Sequence, residues 1–427
     1  MELDSEIIIK ENNALVIAYY FPPMGLSGVQ RTLKFVKYLT HYGWNPIVLT
    51  SETSDYYAYD EALTAELEQL NITVIKAGKI SKKKSKTRKF PSYFIQKLGR
   101  AFLQTFFLPD SKIGWKKYAL EKAKFLFENY KIDVIFSTAP PYTDFLVARE
   151  LSDKYNVPFI VDYRDTWVDN SFNFYPTPFH KSYHIKLEKE ILTKSSKIIV
   201  TSRYSKETIL KRYRFLSHND VVIIPHGYDK EDFEGKIIHK NYNKFVITHS
   251  GLFQDNRTPK YFLKALSNFL KKNPNSKEHI TAKFVGLMRK SHLKYIKKYN
   301  LNENVEILGF KNHSETIDEL LNSDLLWLMM FDLDRSPGKL YEYIGAGKPI
   351  LISSPNGNMR QIALDTKAAI ATEPKNVKEI EAAIEKYYNL WLNGNLPKPD
   401  EKYKKNFDRK LLTNDLAREL SLASAFN

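Results

Sequence analysis

The chain has 427 residues, 43% of them hydrophobic, enough for two or three domains with substantial cores, which excludes a disordered or fibrous protein. It has no cysteine, so disulfides and thiolate metal sites are excluded and a reducing cytoplasm suits it. Lys and Arg number 65 against 49 Asp and Glu, a net charge of +16 that points to an anionic partner.

Residues 1–13 are polar and acidic around Ile7-Ile8-Ile9 and do not read as a secretion signal, and no apolar run reaches the roughly 20 residues needed to span a bilayer. The first strand is expected at Leu15–Tyr19, followed by the loop Phe21-Pro22-Pro23-Met24-Gly25-Leu26-Ser27-Gly28-Val29-Gln30-Arg31 and a helix over Val29–Tyr42. Gly25 and Gly28 let the backbone approach a ligand, and the helix start can receive an anion or a hydroxyl-rich group; a plain turn is the competing reading. The full dinucleotide fingerprint is missing, because Thr50-Ser51 follows the next strand, Ile47–Leu49, where an acidic residue belongs.

After a strand at Ile72–Ile75 come Lys79, Lys82, Lys83, Lys84, Lys86, Arg88 and Lys89, then the aromatic-rich stretch to Phe106-Phe107-Leu108, interrupted by Lys97 and Arg100. A basic cluster joined to aromatics fits an anionic membrane surface, with a solvated loop as the alternative. No zinc-finger spacing, RNA-binding aromatic signature or basic zipper accompanies it, so no nucleic acid is expected. Strands at Val134–Phe136 and Phe159–Val161 flank a helix over Tyr142–Tyr155. The second leads into Asp162-Tyr163-Arg164-Asp165-Thr166-Trp167, at the edge where α/β sheets bind ligands. Asp165 is favoured over Asp162 to orient an acceptor hydroxyl, since Asp162 can pair structurally with Arg164; Trp167 offers either a stacking face for a sugar or a core side chain. Strands at Ile198–Val200 and Val221–Ile224 complete a doubly wound sheet.

Pro225-His226-Gly227-Tyr228-Asp229 and a polar connector to Tyr242 mark a domain boundary, after which the alternation restarts at Phe245–Thr248. Gly251 and Arg257 follow this strand as Gly25 and Arg31 follow the first, and Arg257 can grip phosphate bidentately. Further strands are expected at Ala282–Val285, Val305–Leu308, Leu325–Leu328, Pro349–Ile352 and Ala368–Ala371, and a last amphipathic helix at Arg409–Leu422. Between the strands, Ser336 to Pro349 describes an anion site: Ser336 as N-cap, Pro337 at the first helical position, Lys339 beside the helix end, and Glu342 one turn on, able to accept from two sugar hydroxyls. Asp332-Leu333-Asp334 has the form of a metal-binding pair, but Arg257, Lys339 and two helix ends can neutralise a diphosphate without a cation, so no metal is assigned.

Taken together, Tyr19–Pro23 with Gly25–Arg31, Asp162–Trp167, Ile224–Asp229, Gly251–Pro259, Gly309-Phe310 and Ser336–Pro349 resemble the retaining glycosyltransferases of family 4, which have the GT-B fold. The resemblance implies α/β architecture with two Rossmann-like doubly wound domains facing across a cleft: residues 1–230 for the acceptor, 243–395 for the nucleotide sugar, and 396–427 with a helix crossing back to the first domain. It implies that Arg257, Lys339, Gly251 and Gly338 hold the donor diphosphate and that Glu342, Gly309 and Phe310 flank ribose and base. Asp165, Asp334 and Glu342 would carry catalysis, with Gly25, Gly28, Arg31, Asp162, Arg164 and Trp167 on the acceptor side. The family's two acidic residues seven positions apart fall on Asp334 and Glu342, so Asp replaces the usual Glu at the first. Leu252 stands where a basic residue usually helps hold the diphosphate, and Ser137–Tyr142 offers no counterpart to the family's first-domain His. The expected protein is a cytoplasmic glycosyltransferase, peripheral on the inner face of the cell membrane, using a nucleotide sugar, a lipid-linked or envelope glycan acceptor, and no metal or other cofactor. A GT-B-fold nucleotide-sugar epimerase, or a non-catalytic membrane- or nucleic-acid-binding scaffold, is the alternative.

Overall fold

The computed structural model describes residues 12–25, 27–52, 59–78, 93–171, 173–239, 243–253, 257–333 and 335–425. The first lobe runs β1 (Asn12–Ile17), α1 (Ser27–Leu39), β2 (Trp44–Ser51), α2 (Glu61–Gln69), β3 (Thr73–Ala77), α3 (Tyr93–Phe106), α4 (Trp115–Asn129), β4 (Val134–Ala139), α5 (Thr143–Tyr155), β5 (Phe159–Tyr163), α6 (Pro178–Lys194), β6 (Lys197–Val200), α7 (Arg203–Arg212) and β7 (Val221–Ile223). The second runs β8 (Phe245–Ser250), α8 (Lys260–Lys272), β9 (Ile280–Val285), α9 (Lys290–Lys298), β10 (Val305–Gly309), α10 (His313–Leu321), β11 (Leu325–Met329), α11 (Gly338–Gly345), β12 (Ile350–Ser353), α12 (Asn358–Asp365), β13 (Ala369–Thr372) and α13 (Val377–Leu392). Two more helices follow, α14 (Glu401–Lys405) and α15 (Arg409–Ala425).

All strand pairings in both sheets are parallel; the orders are β3-β2-β1-β4-β5-β6-β7 and β10-β9-β8-β11-β12-β13. The apolar runs Leu15-Val16-Ile17 and Leu325–Met329 lie in the middle of their sheets and are buried on both faces, as parallel strands covered by helices must be. Chain direction across each sheet reverses once, between β1 and β4 and between β8 and β11. A crevice opens at the carboxyl ends of the strands at each such point. In the first lobe the loops that bound it are residues 18–25 and 140–142; in the second they are 251–253, 330–333 and 335–337.

Helix α15 belongs to the first lobe although it ends the chain. Its Leu412, Leu416, Ala417, Leu420 and Ala423 share a core with Ala14, Val16, Val29, Leu33 and Val36 of β1 and α1. The two chain crossings between lobes are bonded to each other: the Tyr228 N–H donates to the Phe407 carbonyl at 2.9 Å, and the Arg409 N–H to the Tyr228 carbonyl at 2.9 Å. Gly227 is required there, since a Cβ would come within 2.8 Å of Leu412 and collide with the Phe407 carbonyl.

Two local expectations are corrected. Ser336 is not the cap of α11: the helix opens at Gly338 with Pro337 in the cap position, and the Ser336 hydroxyl lies 3.1 Å from the Tyr341 hydroxyl instead. For the aromatic stretch beginning at Tyr93 the alternative of a solvated loop gives way to a helix of 14 residues, while the basic residues Lys79–Lys89 fall outside the described residues.

Candidate functional site

The second lobe's crevice is shaped by glycines at three successive strand ends. Gly251, Gly286 and Gly309 have φ of +106°, +127° and +71°, a region that side chains avoid. The Gly251 N–H donates to Val285 O at 2.7 Å and the Gly286 N–H to Gly309 O at 2.6 Å, so the ends of β8, β9 and β10 are stitched edge to edge. A Cβ on Gly286 would come 2.6 Å from the Gly251 carbonyl oxygen. Beyond this row Phe310 is exposed, a free aromatic edge beside the crevice.

Helix α11 is clamped above the row. Leu340, Tyr341, Tyr343 and Ile344 are buried, and the Tyr343 hydroxyl accepts from the Ser250 N–H at 2.8 Å while donating to the Trp327 carbonyl at 3.3 Å. This brings Lys339 over Gly251, where a Cβ would collide with the ammonium group. Gly338 opens the helix with empty space where a Cβ would stand, so its backbone is approachable. Arg257 lies 3.6 Å from Asp332 at the same edge. Burial and the nearby Arg257 push the Lys339 amine down to about 7, against the pull of Glu342. His249, buried below in β8 with Nδ1 2.9 Å from the Trp327 carbonyl oxygen, is held well below its ordinary value by burial, then by Lys339 and Arg257. Two basic groups, Lys339 and Arg257, thus stand at the crevice, with Asp332 and Glu342 as the acids beside them.

Glu342 is half-buried; its backbone carbonyl accepts from the Ala346 N–H at 2.8 Å, and its carboxylate is left to act through its charge. Its charge acts on Lys339, on Arg409 at the start of α15, and on His313 at the start of α10, which places it where the lobes meet. His313 is the bridge there. Its backbone N–H donates to Asp60 at 2.9 Å, its Nδ1 lies 2.7 Å from the Gln30 amide nitrogen, and its Nε2 lies 2.8 Å from Asp232. Burial lowers its proton affinity, but Asp232 and Glu342 outweigh this and raise it above the ordinary value. His226, on the hinge, is pushed well down by burial and by Arg31, Arg409 and Arg164. Sequence reasoning missed both histidines and Arg409, because their partners are 81 or more positions away or on the other lobe and no local spacing signals them.

On the first lobe most of the expected acceptor-side residues prove to be struts. Arg31 is buried and grips Asp162 through Nη2–Oδ1 at 2.8 Å and Nε–Oδ2 at 3.1 Å, then donates to the carbonyls of Ile224 at 2.9 Å and Pro225 at 2.7 Å. Thr138 donates to the other side of Asp162 at 2.8 Å. Asp162 thus pairs with Arg31 rather than Arg164, whose guanidinium donates to the carbonyls of Gly28, Pro140 and Ala139. Gly28 leaves room for that guanidinium, and Gly25 packs on Asp60, whose Cβ would be 2.9 Å from an added one. Trp167 is a correction: it is fully buried, stacked on Tyr142 at 4.6 Å with its indole N–H on His184 at 2.9 Å, and presents no face to a sugar. Asp165 alone of that group is half-buried at the end of β5. Asp334 lies outside the described residues, and among those described no cluster of His, Cys, Asp or Glu has the geometry to hold a metal ion.

Comparison with known proteins agrees with this construction. Residues 28–232 match the model for Glycosyltransferase Family 4, and residues 230–408 match the model for Glycosyl transferases group 1. Together the two run through both lobes, and the fold is the GT-B fold of two facing Rossmann-like domains. Among solved structures it is similar to a sucrose-phosphate synthase from Thermosynechococcus elongatus, with a TM-score of 0.65 and 13% identity over 97% of this chain and 100% of that one. Anabaena Alr3699/HepE in complex with UDP and glucose has a TM-score of 0.63 and 16% identity over 96% and 99%. A glycosyltransferase from Rickettsia africae has 0.62 and 16% over the same shares. At these identities the likeness is one of fold. No curated protein matches at the level of sequence.

Proposed function

We propose that the protein transfers a sugar from a nucleotide-diphosphate sugar, bound at the second lobe, to an acceptor at the first, with retention of anomeric configuration and without a metal. The observation that carries this is Lys339 held over Gly251 beside Arg257, with the Glu342 carboxylate one turn further along α11. As the bond between the anomeric carbon and the diphosphate breaks, negative charge grows on the leaving group, and preset positive groups in a dry site stabilise that change more than the ground state. Arg257, Lys339 and the backbone at Gly338 supply those groups. Glu342 accepts from the ribose hydroxyls, Gly309 and Phe310 flank the base, and Asp334 contacts the transferred sugar. Asp165 orients the attacking acceptor hydroxyl, which approaches the face the diphosphate leaves. The HepE structures hold UDP, UDP-glucose or UDP with glucose, which supports a nucleotide sugar as donor.

The acceptor in this reading is a lipid-linked or envelope glycan, and the enzyme works in the cytoplasm, peripheral on the inner face of the membrane. No helix among the described residues is long and apolar enough to cross a membrane. The donor class is found by thermal shift against a panel of nucleotide sugars, since a tight donor raises apparent stability by mass action. Slow hydrolysis of that donor without acceptor, unchanged by EDTA and abolished in Arg257→Ala and Glu342→Ala, supports the reading. A full rate in Glu342→Ala rejects the donor site.

A further inference from the structure

We propose that the outer face of α8 and α9 binds a linear anionic glycan, a carboxylate- or phosphate-bearing chain whose end enters the crevice. This rests on the glycan-acceptor reading above and adds the charge class of that acceptor. Residues 257–302 contain twelve Lys or Arg and one Asp or Glu. Lys272, Lys277 and Lys283 have carboxylate partners at Glu381, Glu303 and Glu319. Among the described residues, Lys260 and Lys264 of α8 and Lys290, Lys294, Lys297 and Lys298 of α9 have none. The two helices make one surface. The Ser267 hydroxyl of α8 donates to the Tyr299 carbonyl just past α9 at 2.9 Å, and Lys260 Nζ stands 5.4 Å from the ring centre of Tyr261 and 6.0 Å from that of Tyr295. His292 and Ile296 turn the other side of α9 to the interior. The spacing of Lys290, Lys294, Lys297 and Lys298 therefore sets their ammonium groups outward in a row about 12 Å long.

Left to solvent, this row is unfavourable. Lys290 and Lys294, then Lys294 and Lys298, repel one turn apart, and Lys290 opens the helix at the end that disfavours a cation. A ligand with negative charges at repeated intervals relieves that repulsion, whereas one small ion cannot cover the row. Both helices begin at the crevice, α8 behind the loop that carries Gly251 and Arg257, and α9 behind Gly286. A chain lying along the lysines thus has its end beside the donor. A bilayer is disfavoured, because of the large apolar side chains on the two helices only Leu293 is exposed, too little to insert. Nucleic acid is disfavoured because the rings are already taken: Tyr295 stacks on Tyr299 at 6.2 Å and Lys260 covers Tyr261, so no ring is offered to a base. A second copy of this face would set lysines against lysines in a molecule already at +16.

The test measures binding of the full-length protein to polygalacturonate, poly(glycerol phosphate) and neutral dextran at about 0.15 M salt. The combined Lys290→Gln, Lys294→Gln, Lys298→Gln variant is compared with Lys122→Gln, Lys186→Gln, Lys189→Gln, which removes the same charge from exposed positions on the first lobe. Wild type should hold an anionic polymer and leave dextran alone; preference for polygalacturonate identifies carboxylates, and preference for poly(glycerol phosphate) identifies phosphodiesters. The α9 variant should bind at least roughly tenfold more weakly, with a slope of log affinity against log salt smaller by about two to three, while the first-lobe variant stays within about twofold of wild type. Thermal shift with a panel of nucleotide sugars, run on all three proteins, reports folding and the donor site separately. Polymer binding that persists when no nucleotide sugar shifts the melt supports this face while rejecting the transferase reading. Four results overturn the proposal: wild type that holds neither anionic polymer, an α9 variant that binds as wild type does, a first-lobe variant that loses as much as the α9 variant, or single-stranded DNA or phosphatidylglycerol vesicles bound more tightly than either glycan.

Discussion

Donor binding should draw a proton from solution. With its amine pushed down to about 7, Lys339 in the empty site is half charged near neutral pH, and at pH 8 it carries roughly a tenth of a proton. A diphosphate placed between it and Arg257 supplies two negative charges at contact distance, and opposite charges this close raise a cation's proton affinity by about one to three pH units. The complex therefore holds Lys339 at least about half charged at pH 8, and binding takes up roughly 0.4 to 0.9 proton. The sign follows: above pH 7 the free protein binds fewer protons than the complex, so affinity is favoured at low pH and falls as pH rises through about 7. The slope approaches tenfold per pH unit, about 1.4 kcal/mol. A nucleotide sugar has no phosphate group that titrates in this range, so the proton belongs to the protein. Titration calorimetry at pH 8 in two buffers of different ionisation enthalpy measures the uptake directly. Lys339→Met should abolish it and weaken binding; Lys339→Arg should abolish it while keeping a charged donor. Equal heats in both buffers for the wild-type protein would refute the reasoning, because Lys339 would then not meet the diphosphate.

Gly251→Ala should lower the melting temperature through about 1–3 kcal/mol of backbone strain at a φ of +106° and weaken the donor at least roughly tenfold by pushing the Lys339 amine aside, both read by thermal shift with and without nucleotide sugar. An Asp162→Asn variant leaves the Arg31 guanidinium buried without its counter-charge and should cost about 3–5 kcal/mol in urea unfolding, whereas a loss under about 1 kcal/mol would mean the pair is solvated. His313 has a folded-state proton affinity above its ordinary value, so its stabilising contribution is complete below its unfolded pKa and fades as pH rises through the raised folded value. The stability difference between wild type and His313→Gln should therefore shrink from pH 6 to pH 8 in thermal melts, and a constant difference would sink this account.

The fold was legible in the sequence because parallel strands covered on both faces must be continuous apolar runs, and Leu15–Ile17, Phe159–Val161, Phe245–Thr248 and Ile350–Ile352 read as nothing else. Glycines marked the crevice for a similar reason: the positive φ at 251 and 309 favours Gly. Side-chain roles on the first lobe were less legible. Arg31, Asp162 and Arg164 carry charges at a ligand-binding edge, but their partners are 24 to 194 positions away, and nothing local tells a strut from a ligand contact. Trp167 was ambiguous because a buried indole and a sugar platform have the same sequence signature; the stacked Tyr142 and the His184 acceptor decide it. The cap of α11 was misplaced by one residue because Ser-Pro-Gly satisfies cap preferences at two registers, and Tyr341 takes the Ser336 hydroxyl.

Because α15 completes the layer over β1 and α1, the amino-terminal lobe cannot finish its own interior until α15, which follows the whole second lobe, has left the ribosome. Translation makes this lobe first and seals it last. A truncation ahead of Arg409 would strip a lobe whose remaining sequence is untouched, leaving Val16, Val29 and Leu33 bare to water, so the seventeen residues of α15 tie the first lobe's completion to synthesis of the second.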